Sequence, residues 1–263
     1  MTAAAPARAS SAAEVVSGPE VALQLEGVTK SFGRRVLDGV SFSVPTGTGL
    51  VILGRSGTGK SVTLRTIIGL VRPDSGRVLV GGEDVVGMTR DRLNEVRKRI
   101  GFLFQNAALF DSISVGENVA FPLRRHTRLS EREIRTRATE KLAQVGLAAE
   151  YTRMPAALSG GMRKRAGLAR AMVLDPPLLL ADEPSAGLDP LTSDEIDHLL
   201  LQQKEQSRTT LVVVTHNMAS ARRLGDRLLM LHEGRVRAEG TLEEFERNAD
   251  PMVRAFLSSP NAG

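Results

Sequence analysis

The chain has 263 residues, enough for one large or two small domains with a sizeable core, which excludes a fibrous or largely disordered protein. It carries 35 Lys and Arg against 30 Asp and Glu, a formal charge of +5, so an anionic partner is expected: a nucleotide, a nucleic acid or a membrane surface. With 0 Cys a disulfide framework, a thiolate zinc site and a Cys nucleophile are excluded, and any metal must be held by oxygen or His.

Residues 1–20 are rich in Ala, Ser and Pro and lack the apolar run of a signal peptide, so they read as a flexible tail on a cytosolic protein. From Val21 the alternation in VALQLEGV, and again in VLDGVSFSV at 36–44, predicts two strands joined near Gly33. GLVILG at 49–54 predicts a buried strand running into a Gly-rich turn, and SVTLRTIIGL at 61–70 predicts a helix ending near Gly69. A short strand at 76–80, a charged helix near 90–99 and the apolar run IGFLF at 100–104 follow. The segment from about 107 to 173 is helical in character, with Ile134, Ala138, Leu142 and Val145 recurring at three- to four-residue steps. Strands return at PLLLAD and TLVVVTH, each followed by a helical stretch, and a last pair lies within 227–240. The longest apolar runs, PPLLLA and LVVV, fall far short of the ~20 residues that span a bilayer. Buried strands alternating with helices imply an α/β fold with a mostly parallel sheet and an inserted helical subdomain.

GRSGTGKS at 54–61 follows a predicted strand and opens a predicted helix, the context of a P-loop. Backbone amides reach a phosphate only where side chains are absent, hence Gly54, Gly57 and Gly59. Arg55, Ser56, Thr58 and Val62 complete the loop and first turn that would cradle a nucleotide. Lys60 can reach the β and γ phosphates, and the Ser61 hydroxyl can ligate Mg²⁺. In LLLADEP at 178–184 an apolar strand ends in Asp182, placed to hold Mg²⁺ at the sheet edge beside the P-loop. Glu183 follows, placed to polarise a water attacking the γ phosphate.

These motifs resemble those of the ATPase subunits of ABC transporters, together with Gln105 after IGFLF, LSGGM at 158–162, SAGLD at 185–189 and His216 after TLVVVT. The resemblance covers about 21–245 and implies a RecA-like, mostly parallel core, an antiparallel N-terminal β part and an ATP-binding domain at 21–246, with a C-terminal helix and tail at 247–263. It implies ATP and Mg²⁺ as cofactors and a head-to-tail homodimer in which each nucleotide lies between one P-loop and the partner's LSGG helix. Ser159 at a helix start, with Gly160 and Gly161 exposing amides, fits that phosphate role. By the same resemblance Gln105 contacts Mg²⁺ and the attacking water, His216 holds the γ phosphate, Asp189 belongs to the loop linking the two sites, and Phe32 stacks on the base.

The segment 96–127, Met162 where most of the family has Gln, and DPMVRAFL at 250–257 resemble the Mla-type ATPases that work with MCE proteins in phospholipid traffic between bacterial membranes. That resemblance implies a peripheral protein on the cytoplasmic face of the inner membrane. Its implied partners are a multispanning MlaE-like permease, an MlaD-like MCE protein and a small MlaB-like STAS-domain protein, with no nucleic acid. Phe110 is expected in a groove receiving a permease helix. Residues 90–137 hold 11 Lys or Arg and 6 Asp or Glu, which puts the whole surplus of charge on this side. Alternatives are a cassette for another solute such as polar amino acids, a non-hydrolysing binding module, and a soluble ATPase acting on DNA or ribosomes. The last is disfavoured because Lys60 and Ser159 are too close in sequence for a long coiled coil between them.

Overall fold

The computed structural model describes residues 20–258; the tail expected at 1–20 falls outside it except for Glu20, as do residues 259–263. In chain order the elements are β1 (Val21–Phe32), β2 (Arg34–Pro45), β3 (Gly49–Leu53), α1 (Lys60–Ile67), β4 (Ser75–Val80), β5 (Glu83–Asp84), α2 (Arg90–Arg97) and β6 (Ile100–Leu103). Then come α3 (Val115–His126), α4 (Glu131–Gln144), α5 (Gly160–Met172), β7 (Leu178–Asp182), α6 (Pro190–Ser207), β8 (Thr210–Val214) and α7 (Met218–Leu224). β9 (Arg227–His232), β10 (Arg235–Gly240), α8 (Leu242–Glu246) and α9 (Pro251–Leu257) close the described chain.

Two sheets form. The smaller is antiparallel in the order β2-β1-β4-β5; the larger runs β10-β9-β3-β8-β7-β6, parallel except for the β10–β9 edge pair. Every residue of β3, β7 and β8 is buried, because helices or the smaller sheet cover both faces and an apolar residue is favoured at each position. Their side chains alternate between two cores. Val51, Leu179 and Val213 pack with the helical subdomain, while Ile52, Leu180 and Val212 pack with α1 and the antiparallel sheet.

The middle of the chain is helical as its periodicity predicts, with Ile134, Ala138 and Leu142 of α4 buried in the first of these cores. α4 begins with a capping box in which Ser130 and Glu133 satisfy each other's backbone amides. Residues 105–114, however, form a loop and not helix. The Asn118 side chain holds it from α3, accepting from Phe110 N at 2.7 Å and donating to Phe110 O at 3.0 Å and Ser114 O at 3.0 Å. Among the described residues no helix is long and apolar enough to cross a membrane.

Strand register decides where the loops emerge. Ile52 of β3 and Asp182 of β7 both pair with Val214 of β8, from opposite sides, and Leu103 of β6 pairs with Ala181. The segments beginning at Gly54, Gln105, Glu183 and His216 therefore leave the sheet side by side along its carboxyl edge, where α/β sheets bind ligands.

Candidate nucleotide site

From the end of β3 the chain runs through Gly54–Gly59 into α1. Gly59 has φ +103°, and a Cβ there would stand 2.8 Å from the Val36 carbonyl oxygen, so only glycine fits. It is also the N-cap of α1 and no side chain caps that helix, which leaves the first-turn amides to an anion. Lys60, 6% exposed, donates from Nζ to the Gly54 carbonyl at 2.6 Å and the Arg55 carbonyl at 3.1 Å, and lies 3.7 Å from Glu183 Oε1. Burial pushes its pKa down, opposed by the carboxylates of Glu183 and Asp182. Ser61 Oγ donates to Asp182 Oδ1 at 2.7 Å. Burial raises the pKa of Asp182, and that hydrogen bond opposes the rise.

Glu183 holds φ +49°, a left-handed conformation that a side chain makes unfavourable. Its amide donates to the Val214 carbonyl at 2.9 Å, and its own carbonyl accepts from Ala186 N at 3.2 Å and from the buried Lys164 Nζ at 2.9 Å. Its Oε2 stands 2.8 Å from His216 Nδ1 and makes no hydrogen bond of its own. Burial lowers the pKa of Lys164 to about 8, against the pull of Glu183 and Asp182. Gln105, Glu183 and His216 line one cavity of about 790 Å³ with Arg55, Ser56, Gly57, Gly59, Lys60, Ser61 and Val62.

Asp182 sits just behind that lining, joined to it through Ser61. Gly54 and Thr58 do not line it either; they shape the loop, Gly54 by accepting from Lys60 and Thr58 by donating Oγ1 to the Arg55 carbonyl at 2.9 Å. Phe32 stands outside the lining, 55% exposed, with Lys30 Nζ 5.2 Å from its ring centre, while Arg34 and Val36 form the adjoining wall. Met230 and His232 of β9 and Met252, Ala255 and Phe256 of α9, none of them expected at the site from the sequence, complete the lining. Met230 comes there because it pairs with Leu53, one residue before the P-loop, and sheet neighbours cannot be read from local sequence.

The LSGG segment and Asp189 do not line the cavity. Ser159 caps α5, accepting from Met162 N at 3.2 Å. A Cβ on Gly161 would lie 2.5 Å from Thr192 Cγ2, so this glycine serves helix packing, whereas Gly160 faces more open space. Asp189 caps α6, accepting from Thr192 N at 3.0 Å and Thr192 Oγ1 at 2.6 Å. Thr192 thus joins the Asp189 loop to the start of α5. Farther along α5, Arg170 donates to the Ala107 carbonyl at 2.6 Å and the Ala108 carbonyl at 2.7 Å, two residues with φ +58° and +49° just past Gln105. Arg170 also lines a groove of about 340 Å³ in which the Phe110 and Phe121 rings meet at 5.1 Å, edged by Phe102, Phe104, Lys98 and His126.

A family model described as ABC transporter matches residues 37–186. The chain belongs to the ABC transporter family. It is an ATP-binding ATPase subunit of that family. This cassette is 44% identical over 244 residues to the "Probable ribonucleotide transport ATP-binding protein mkl" of Mycobacterium leprae, covering 92% of this chain and 70% of that one. It is 41% identical over 224 residues to the "Intermembrane phospholipid transport system ATP-binding protein MlaF" of Escherichia coli, covering 85% of this chain and 83% of that one. Among solved structures, the ATP-binding cassette MJ0796, in a dimeric post-hydrolysis state bound to ADP and Pi, matches with a TM-score of 0.79 at 35% identity, over 84% of this chain and 98% of that one. ABC cassettes of this kind dimerise and pair with permeases, and the expected α/β cassette fold is the one observed.

Proposed function

We propose that this cassette powers phospholipid transport between two membranes as a peripheral homodimer at the cytoplasmic face of the inner membrane. The observation that carries the dimer is the division of the site: the cavity holds the P-loop, Gln105, Glu183 and His216, while the LSGG segment starts α5 outside it. Each chain therefore offers Ser159, Gly160 and Gly161 to the γ phosphate on its partner. Residues 21–246 form the cassette in this reading, and beyond them α9, Pro251–Leu257, reaches the cavity wall.

Within one chain Lys60 binds the β and γ phosphates, and the Glu183 carboxylate takes the proton of the attacking water, oriented by His216 at 2.8 Å. Ser61 and Asp182, already in contact, are the pair that would hold Mg²⁺, and the bound ion would neutralise charge on the phosphate oxygens. Gln105 faces the reacting end of the cavity from the loop that Arg170 pins, and Asp189 ties the signature loop to α6 through Thr192. Phe32, exposed and paired in the sheet with Arg34 of the cavity wall, supplies a stacking face for the base, which tolerates base identity.

The Phe110–Phe121 groove is the proposed seat of a permease helix, and the basic surplus over residues 90–137 suits the anionic inner leaflet. The likeness to MlaF supports phospholipid as cargo, with a multispanning permease, an MCE protein and a STAS-domain protein as partners. The name of the mycobacterial relative supports a second reading, ribonucleotide as cargo. Affinity purification of the full chain from detergent-solubilised membranes separates the two. Co-purification of a permease and an MCE protein, with phospholipid found in the complex by mass spectrometry, is expected. A periplasmic solute-binding protein in their place, or bound ribonucleotide without phospholipid, overturns the lipid reading.

A further inference from the structure

Glu183 is asked to do two things that conflict locally. Its carboxylate must point at a water in the cavity, and to do so its backbone adopts φ +49° between a buried strand and the Asp189 loop. Strain of this kind persists only where neighbours over-determine it. Two of the three backbone bonds that fix Glu183 come from adjacent strand and turn, those with Val214 and Ala186. The third comes from Lys164, one turn into α5, whose side chain is 7% exposed and whose Nζ donates to the Glu183 carbonyl at 2.9 Å.

A buried ammonium is costly unless paired, and a Lys in a helix flank could as easily reach solvent. Here no carboxylate oxygen lies within 4.0 Å of the Lys164 ammonium among the described residues, and its one hydrogen bond goes to a backbone oxygen. The arrangement therefore favours a specific backbone pose of Glu183 over a charge pair. It also links that pose to the helix whose N-terminus carries Ser159.

We propose that Lys164 is a positioning residue for Glu183, holding the general base in its catalytic pose from the signature helix. The proposal rests on the reading of Glu183 as the base. Lys164→Met keeps the length and apolar stem and removes the donor; Lys164→Arg restores a donor. In the full chain, Lys164→Met is expected to lower kcat for ATP by about 10- to 100-fold, the scale of a small misplacement of a catalytic group, with KM and melting temperature little changed. Lys164→Arg is expected to recover most of that loss. In a Glu183→Gln background, Lys164→Met should cause no further loss, since the two substitutions disable one function. Wild-type kcat in Lys164→Met overturns the proposal, as does equal impairment of the Met and Arg variants together with a lowered melting temperature. Turnover that survives Glu183→Gln instead overturns the reading of Glu183 itself, which keeps the two failures apart.

Discussion

The N-termini of α1 and α5 are both glycine-flanked and both face phosphate in the proposed mechanism, yet the chain builds them differently. At α1 no side chain caps the helix, Gly59 takes a conformation closed to other residues, and the turn opens onto a cavity that already holds Lys60, Glu183 and His216. At α5 the Ser159 hydroxyl already serves as a cap, Gly161 is packed against Thr192, and the helix start lies outside the cavity lining. In the proposed mechanism the first terminus is a finished half-site and the second a component awaiting its complement. The difference teaches that glycine at a helix start has two separable uses: leaving room for a ligand, and letting another helix come close.

The largest effect should come from the finished half. Glu183→Gln is expected to lower ATP turnover by about 10²- to 10⁴-fold while nucleotide binding, measured by fluorescence of a labelled ATP, stays near wild type. Retained turnover would erase the contrast between the two termini, since the α1 side would then lack its base.

The second half is tested by separating cap from ligand. Ser159→Asp keeps a side chain that caps helices well but sets a negative charge where a phosphate should approach, whereas Ser159→Ala removes the cap, worth about 1 kcal/mol. Turnover is expected to fall strongly in Ser159→Asp with melting temperature unchanged, and less in Ser159→Ala with a lower melting temperature. The reverse order would make Ser159 a structural cap only.

The smallest effect concerns Gly161. Gly161→Ala should destabilise by about 1–3 kcal/mol in denaturant titration, because the new Cβ falls 2.5 Å from Thr192 Cγ2. Adding Thr192→Ser, which deletes that methyl while keeping the hydroxyl bonded to Asp189, is expected to recover most of the loss. Failure of the rescue would mean that Gly161 is needed for its backbone amide more than for packing.

Much of this site could be read from the chain alone because its chemistry is local. A P-loop is contiguous, so Gly54 through Ser61 announce themselves, and Asp182 with Glu183 end an apolar run that only a buried strand explains. The helical character of the middle segment was equally plain from Ile134, Ala138 and Leu142. The loop at 105–114 was not, because its order comes from Asn118, a buried amide in the next helix whose partners are backbone atoms with no sequence signature. Lys164 and Arg170 escaped for the same reason: each looks like a solvated charge on a basic helix, and only its burial against a left-handed loop distinguishes it.

By itself the sequence determined the α/β class, the phosphate loop and the acidic pair, because strand burial, backbone approach and helix-start chemistry act over a few neighbouring residues. Tertiary structure decided the register that sets Ile52 and Asp182 on either side of Val214, the approach of β9 and α9 to the cavity, and the pinning of two strained loops by α5. Those depend on which distant surfaces bury each other, a choice made by the packing of the whole chain.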